Sequence, residues 1–230
     1  MHTNMSDKRS SAEAGIQSRY ERWATQDVDF SYKQKKAARI VTLIREFGGL
    51  EGRALELGVG PGGIAAAVSE SGMKVVGLDL SAPALDKARV HCAGRRVALV
   101  RASGFQLPFA DCSFPLIYAP QVLHLFNSEH RMRLLTEAYR VLTPGGRLLF
   151  DLLNKWSHPL EYWKAQQRRR RKRFPGRDEI LELVSNAGFA DITVRAGVVP
   201  GLPVKAVPNH GLSRFLAHTV FILAKRPSDR

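Results

Sequence analysis

The 230-residue sequence has few cysteines and no long hydrophobic run. Its two cysteines, Cys92 and Cys112, stand in no CxxC or metal-like spacing, so we expect neither a disulfide framework nor a metal site. No stretch reaches the roughly 18 consecutive apolar residues of a membrane span, and residues 1–20 lack the apolar middle of a signal peptide. We therefore expect a soluble, cytoplasmic protein without a transmembrane segment.

Acidic residues are scarce relative to basic ones. The sequence has 21 Asp and Glu against 35 Lys and Arg, which gives a formal net charge of +14. Six basic residues form one uninterrupted block, Arg168–Arg173. A positive surface raises encounter rates with phosphate-bearing partners, so the block is either a solvated loop or a contact for an acidic substrate, an anionic surface or nucleic acid.

The rest of the composition is that of an ordinary globular protein. Hydrophobic residues make up 44% of the chain and charged residues 24%. This length allows one well-buried core with a small cap or lid, but not two full domains. We expect a single α/β domain.

The most informative stretch runs from residue 54 to residue 80, ALELGVGPGGIAAAVSESGMKVVGLDL. An apolar strand meets a glycine-rich turn, a helix-period run follows, and a second strand stops at Asp79. In such a unit ligands bind at the carboxyl ends of the strands. Asp79 lies about 20 positions after the first glycine, where an acidic side chain can accept hydrogen bonds from ribose hydroxyls. The unit predicts a nucleoside-cofactor site.

The glycine spacing alone leaves the cofactor open. Gly58, Gly60 and Gly63 satisfy the dinucleotide pattern GxGxxG, whereas Gly58, Gly60 and Gly62 satisfy the GxGxG of methyltransferases. Glu56, two residues before the first glycine, would repel a pyrophosphate and attract the sulfonium and ammonium groups of S-adenosylmethionine. Glu56 therefore favours the cationic cofactor.

The alternation of strand and helix patterns predicts a doubly wound parallel sheet. Ser81 is the expected N-cap of the helix over 82–91, and Ser128 is the expected N-cap of the helix over 129–142. The TPGG sequence at 143–146 stops the second of these helices. Pro115 is expected at the start of its strand. The predicted helices cover residues 10–23, 32–47, 82–91, 129–142 and 177–188, and the later predicted strands cover 97–100 (buried), 114–119, 147–153, 192–195 and 215–225.

Four stretches carry a family resemblance: LELGVGPGG, VVGLDLS, LPFADCSF with VLHLF, and EAYRVLTPGGRLLF. With these in order, the sequence resembles the class I S-adenosylmethionine-dependent methyltransferases, in the small-molecule group that includes quinone-ring methyltransferases. The resemblance implies a Rossmann-like α/β fold with a seven-stranded, mostly parallel sheet whose antiparallel last strand lies between the fifth and sixth. It also implies S-adenosyl-L-methionine as cofactor and a small-molecule methyl acceptor. We divide the chain into N-terminal cap helices (1–48) and a cofactor-binding domain (49–230) with a basic insertion at about 154–176.

The same resemblance assigns residues to parts of the cofactor. They are Glu56, Gly58, Gly60 and Gly62 for the methionine part, Asp79 for the ribose, Leu80, Ser103, Gly104 and Phe105 for the adenine, and Ala119, Pro120 and Gln121 beside the transferring methyl. Two positions depart from the family pattern. Ser103 stands where an acidic residue is usual, which weakens or replaces the bond to the adenine amino group, and Pro115 stands where Asp is usual.

Methyl transfer is an in-line displacement, so holding the reactants collinear matters most and a general base is optional. His124, after the fourth predicted strand, is the candidate base that could deprotonate a hydroxyl or amine, or else a structural histidine.

Two other functions stay open. An RNA methyltransferase suits the positive charge, but APQV stands after the fourth strand in place of an Asn/Asp-Pro-Pro-aromatic signature. A redox or non-catalytic nucleotide-binding protein suits the GxGxxG spacing.

Overall fold

The protein is represented by a computed structural model that describes residues 30–48, 51–153, 177–197, 217 and 219–228. The helix predicted over 10–23 and the basic block lie outside this range. The helices are α1 (Phe30–Gly48), α2 (Gly63–Glu70), α3 (Ala82–His91), α4 (Ser128–Val141) and α5 (Arg177–Asn186), with a 3-10 turn at Leu123–Leu125. The strands are β1 (Arg53–Leu57), β2 (Lys74–Asp79), β3 (Val97–Arg101), β4 (Phe114–Ala119), β5 (Leu142–Leu153), β6 (Ala190–Ala196) and β7 (Thr219–Lys225).

The strands form one sheet in the order β3-β2-β1-β4-β5-β7-β6. The first five strands of that order pair in parallel, and β7 pairs antiparallel with both β5 and β6. This confirms the predicted seven-stranded sheet with its antiparallel last strand between the fifth and sixth. Because β1 to β4 are parallel, their carboxyl ends lie at one edge of the sheet.

Helices cover both faces of the sheet, as the doubly wound prediction requires. Side chains alternate along β1: Leu55 and Leu57 belong to one hydrophobic cluster, and Ala54 belongs to the other. The first cluster includes residues of α4 and α5, and the second includes residues of α1, α2 and α3. Whether residues 1–48 form a separate cap stays a prediction.

The α1 helix presents one face to the sheet. Its buried positions recur at spacings of three and four, as expected for an amphipathic helix, and they are Lys36, Ala37, Arg39, Ile40, Leu43 and Ile44. The Arg39 Nε donates a hydrogen bond of 3.0 Å to the carbonyl oxygen of Ala196 at the end of β6. Two buried cations therefore lie on the face that packs against the sheet.

The helix caps confirm one prediction and correct another. The Ser81 Oγ accepts a hydrogen bond from the Ala84 N–H (3.3 Å) at the start of α3. At α4 the cap is Asn127, whose Oδ1 accepts from the His130 N–H at 2.9 Å. The prediction of Ser128 was wrong because this residue is already helical and its hydroxyl bonds to Glu179 of α5 instead.

Two strand predictions also need correction. β5 begins at Leu142, so the segment 143–146 lies within the strand and does not precede it. Backbone bonds explain this: Gly145 N–H donates to the Arg226 carbonyl, and Arg226 N–H donates to the Gly146 carbonyl. β3 is the edge strand and is partly exposed, so its prediction as a buried strand was wrong. Pro115 lies near the start of β4, beside a register shift, as expected.

Within the part of the chain described here, no helix is both long and apolar enough to cross a bilayer.

Candidate functional site

A cleft opens at the carboxyl-terminal edge of the sheet, where β1, β2 and β3 end. Its wall is mostly apolar, and the polar groups in it are backbone atoms, the Ser103 hydroxyl and the Asp79 carboxylate. The lining residues are Leu57, Gly58, Leu78, Asp79, Leu80, Ala102, Ser103, Gly104, Phe105, Val122, Phe126 and Leu134. An open α/β sheet binds its ligands at this edge.

The glycine-rich turn is held against β2 by backbone bonds. The N–H groups of Gly58 and Val59 both donate to the Leu78 carbonyl, at 2.8 and 2.9 Å. Gly60 has φ +52, and a Cβ built on it would meet no atom within 4 Å. Gly62 has φ +86, and its Cβ would approach the Cys92 Sγ to 2.8 Å. Gly60 therefore borders open space, whereas Gly62 allows α3 to pack closely.

Asp79 joins the two turns that border the cleft. Its Oδ2 accepts a hydrogen bond from the Gly60 N–H at 2.8 Å, and its Oδ1 accepts from the Ser81 N–H at 2.9 Å. Burial raises the pKa of the Asp79 carboxyl, although these backbone donors oppose the shift. Each carboxylate oxygen has a second lone pair, so Asp79 can still accept a bond from a ligand hydroxyl.

Glu56 lies behind the turn rather than in the cleft wall. It is 1% exposed and lies opposite Tyr118 in the register of β1 and β4. Neither the Glu56 Oε2 nor the Tyr118 hydroxyl has a hydrogen-bond partner among the described residues. Burial raises the pKa of the Glu56 carboxyl well above its usual value, the interaction with the Tyr118 hydroxyl lowers it in part, and the charge of Asp79 adds to the rise. An unpaired buried carboxylate oxygen favours a cationic partner.

Two aromatic rings, those of Phe105 and Phe126, form part of the cleft wall. The rings of Phe105 and Phe126 meet edge to face with centroids 4.9 Å apart, and the His130 ring lies 5.2 Å from Phe105. The Ser103 Oγ accepts a bond from the Phe105 N–H at 3.2 Å, which fixes the turn between them. This wall suits a flat, apolar group.

The turn after β4 is bound to β5. The Gln121 N–H donates to the Asp151 Oδ1 at 2.5 Å, and Gln121 has φ +59 although it is not a glycine. The Asp151 Oδ2 forms an ion pair with the Lys36 Nζ of α1. This places a buried charged pair beside the turn.

The comparisons with known proteins agree with this geometry. The sequence profile of the family described as "Methyltransferase domain" matches residues 55–150, which run from β1 into β5. A demethylmenaquinone methyltransferase of Geobacillus sp. (strain WCH70) is 30% identical over 162 residues, covering 58% of this chain and 67% of the relative. The chain belongs to the S-adenosylmethionine-dependent methyltransferases.

Two further similarities define how far the chain matches its relatives. A demethylmenaquinone methyltransferase of Tropheryma whipplei (strain Twist) is 35% identical over 47% of this chain and 43% of the relative. The chain thus spans 43% to 67% of the length of these two relatives. A Thermotoga maritima crystal structure, described as a possible histamine N-methyltransferase, has a TM-score of 0.66 at 22% identity, covering 91% of this chain and 95% of that one. That likeness shows the shared fold.

The structure brings some of the predicted site residues together and not others. Those that line the cleft are Gly58, Asp79, Leu80, Ser103, Gly104 and Phe105, whereas Glu56, Gly60, Gly62, Ala119 and Gln121 do not. Ala119 is fully buried at the end of β4. His124 is half-buried in the 3-10 turn, and its neighbours Val122 and Phe126 line the cleft. The roles of all these residues stay predictions.

Sequence reasoning missed the wall residues Val122, Phe126 and Leu134, and the buried pair Lys36 and Asp151. Asp151 could have been identified from the sequence, because it is an acidic residue near the end of an apolar strand, like Asp79. Lys36 interrupts an apolar helix face, which is uncommon for a lysine.

The residues present fit S-adenosylmethionine. The unpartnered Glu56 Oε2 offers a buried negative group for a cation, and the open space at Gly60 leaves room for a ligand close to the backbone. Among the described residues, no cluster of His, Cys, Asp and Glu has the makings of a metal site.

Proposed function

We propose that this chain transfers a methyl group from S-adenosylmethionine to a small-molecule acceptor of aromatic or lipid-like character. The observation that carries the proposal is the Glu56 carboxylate, which is buried beside an open glycine turn and has an oxygen without a hydrogen-bond partner. Relatives that bear the name demethylmenaquinone methyltransferase support an acceptor with an apolar ring.

The electrostatics favour a cationic cofactor over a dinucleotide. A pyrophosphate at the turn would lie near two buried acids, Glu56 and Asp79, and their ionised forms would repel it, with a repulsion that low dielectric strengthens. A sulfonium or ammonium group reverses the sign and gives the ionised Glu56 carboxylate a cationic partner. The bound cofactor supplies an electrophilic methyl group, and the chain supplies binding, alignment and exclusion of water.

Each part of the cleft has a proposed task. Asp79 accepts hydrogen bonds from the ribose hydroxyls, and Gly58, Gly60 and Gly62 let the backbone approach the methionine part with Glu56. Leu80, Ser103, Gly104 and Phe105 surround the adenine, with Ser103 in place of the usual acid. Ala119 and Gln121 border the methyl group, and His124 removes a proton from the acceptor where one must leave.

The basic block gives a second hypothesis about partners. Arg168–Arg173 contributes six charges to a chain of net charge +14, so contact with an anionic surface or nucleic acid is a proposal to be tested. Replacing the block with neutral residues should abolish salt-dependent retention on a polyanion column. Methylation of bulk RNA by the wild type would favour an RNA methyltransferase.

Titration calorimetry tests the proposed function. We expect heat with S-adenosylmethionine and S-adenosylhomocysteine and none with NAD. Heat with NAD and none with the sulfonium compound would exclude the proposal and favour a redox protein. Once binding is shown, a screen of quinols, phenols and amines by release of S-adenosylhomocysteine identifies the acceptor class.

A reducing, cytoplasmic location for this reaction is part of the proposal and agrees with the free Cys92 and Cys112.

A further inference from the structure

Three elements meet at a buried ion pair beside the turn after β4. Lys36 comes from α1 and Asp151 from β5, and both side chains are 2% exposed. The Asp151 carboxylate uses its two oxygens differently: Oδ2 contacts the Lys36 Nζ, and Oδ1 accepts from the backbone N–H of Gln121 at 2.5 Å. The pair therefore connects α1 to the turn through a single carboxylate.

The turn needs such a contact. Gln121 has φ +59, in the left-handed region that a residue with a side chain rarely adopts. Such a conformation persists only where surrounding interactions hold it. The bond to Asp151 is charge-assisted and partly buried, and charge-assisted hydrogen bonds are among the stronger kinds.

Asp151 in turn depends on Lys36. A carboxylate with this degree of burial is costly unless a cation or several donors offset the loss of water. Burial lowers the pKa of the Lys36 ammonium, and the charge of Asp151 opposes that shift. Apart from this ion pair, the Lys36 Nζ has no hydrogen-bond partner among the described residues, so its burial serves the contact with Asp151.

We propose that Lys36 and Asp151 are positioning residues that fix the backbone of Gln121 beside the transferring methyl group. This inference rests on the proposed function, which assigns the turn after β4 to the methyl end of the cofactor. Docking of α1 is thereby coupled through Asp151 and Gln121 to Val122, the next residue, which lines the cleft; Lys36, Asp151 and Gln121 are themselves absent from the lining.

Two double variants separate the hydrogen bond from the charges. Lys36→Met with Asp151→Asn removes both charges but keeps a side-chain oxygen for the Gln121 N–H. Lys36→Met with Asp151→Leu also removes both charges but leaves no acceptor. Replacing a buried ion pair by neutral groups of similar volume is often tolerated, so both variants are expected to fold.

Amide hydrogen exchange of Gln121, measured by NMR without any ligand, is the first measurement. Exchange should be about tenfold or more faster in the Met/Leu variant than in the Met/Asn variant, the scale of one lost hydrogen bond. Equal exchange in the two variants would overturn the proposal. If the Met/Leu variant does not fold, the exchange rate of the Gln121 amide in the wild type tests the contact. A rate equal to that of an exposed loop would contradict the hydrogen bond to Asp151.

Calorimetry with S-adenosylmethionine is the second measurement. We expect about tenfold weaker binding in the Met/Leu variant and binding within about threefold of wild type in the Met/Asn variant. Equal affinities in the two variants would show that the contact is structural only. A wild type that binds no S-adenosylmethionine would reject the proposed function instead, while the exchange comparison would still report on the Gln121 contact.

Discussion

Replacing Glu56 by glutamine should weaken cofactor binding and stabilise the free protein. The substitution keeps the shape of a side chain that is 1% exposed, and it removes the charge that we assign to the cationic cofactor. In the free protein that charge is unfavourable, because burial raises the pKa of the Glu56 carboxyl. Binding and stability should therefore change in opposite directions.

The size of the binding effect follows from two opposing terms. Two unit charges 4 Å apart interact by about 4 kcal/mol at an effective dielectric constant of 20. Ionising a carboxyl whose pKa is raised costs free energy and offsets part of this attraction. The remaining binding contribution is about 1.5–3 kcal/mol, the range for hydrogen bonds to charged groups. The expected loss of affinity for S-adenosylmethionine is about 10- to 150-fold.

The pH dependence has a defined sign. Because the folded-state pKa of Glu56 is raised, the folded protein is progressively destabilised as the pH rises above the unfolded-state value. Glu56→Gln should therefore raise the melting temperature more at pH 8 than at pH 5. Affinity of the wild type for S-adenosylmethionine should rise with pH until Glu56 is ionised in the free protein, and then level off.

Calorimetry in two buffers of different ionisation enthalpy measures both the affinity and the proton released on binding. S-adenosylhomocysteine separates the contributions, because it lacks the sulfonium charge but keeps the ammonium. Glu70→Gln is the matched control: it removes the same charge from a carboxylate whose side chain is 58% exposed, and it should leave cofactor affinity unchanged. Wild-type affinity in Glu56→Gln, or a melting-temperature gain equal at both pH values, would refute the reasoning.

Three further substitutions test the rest of the site. Asp79→Asn should cost about 1–3 kcal/mol of S-adenosylmethionine affinity by calorimetry, and unchanged binding would place the ribose elsewhere. Gly62→Ala should lower the free energy of unfolding in urea by about 1–3 kcal/mol, since its Cβ meets the Cys92 Sγ at 2.8 Å. Gly60→Ala enters open space but keeps φ +52, where a side chain costs about 1–2 kcal/mol of stability; it should also weaken cofactor binding, and unchanged affinity would contradict the assignment.

Local signals account for the parts of the fold that the sequence predicted well. The unit from β1 to β2 combines glycine turn chemistry, a helical period and a terminal acid within one short stretch, so its structure needs little information from elsewhere. Ser81 caps α3 through a contact within three residues. The position of β7 between β5 and β6 came from the family resemblance and not from spacing.

Long-range contacts account for what the sequence did not predict. TPGG predicts a break, yet bonds with Arg226 keep the segment 143–146 in β5. Ser128 and Asn127 are both good caps, and the bond from Ser128 to Glu179 is visible only once α5 is in place. The pair of Lys36 and Asp151 joins distant parts of the chain. No local pattern in the sequence pairs two such residues.

The placement of β7 has a consequence for how the chain folds as it is synthesised. β7 is bonded on both sides, to β5 and to β6, although both strands precede it in the chain. Until Thr219–Lys225 leaves the ribosome, the apolar strand β5 has an unpaired edge, and pairing over such a separation is slow. Nascent chains that stop before Thr219 would expose two open strand edges and should depend on chaperones or aggregate.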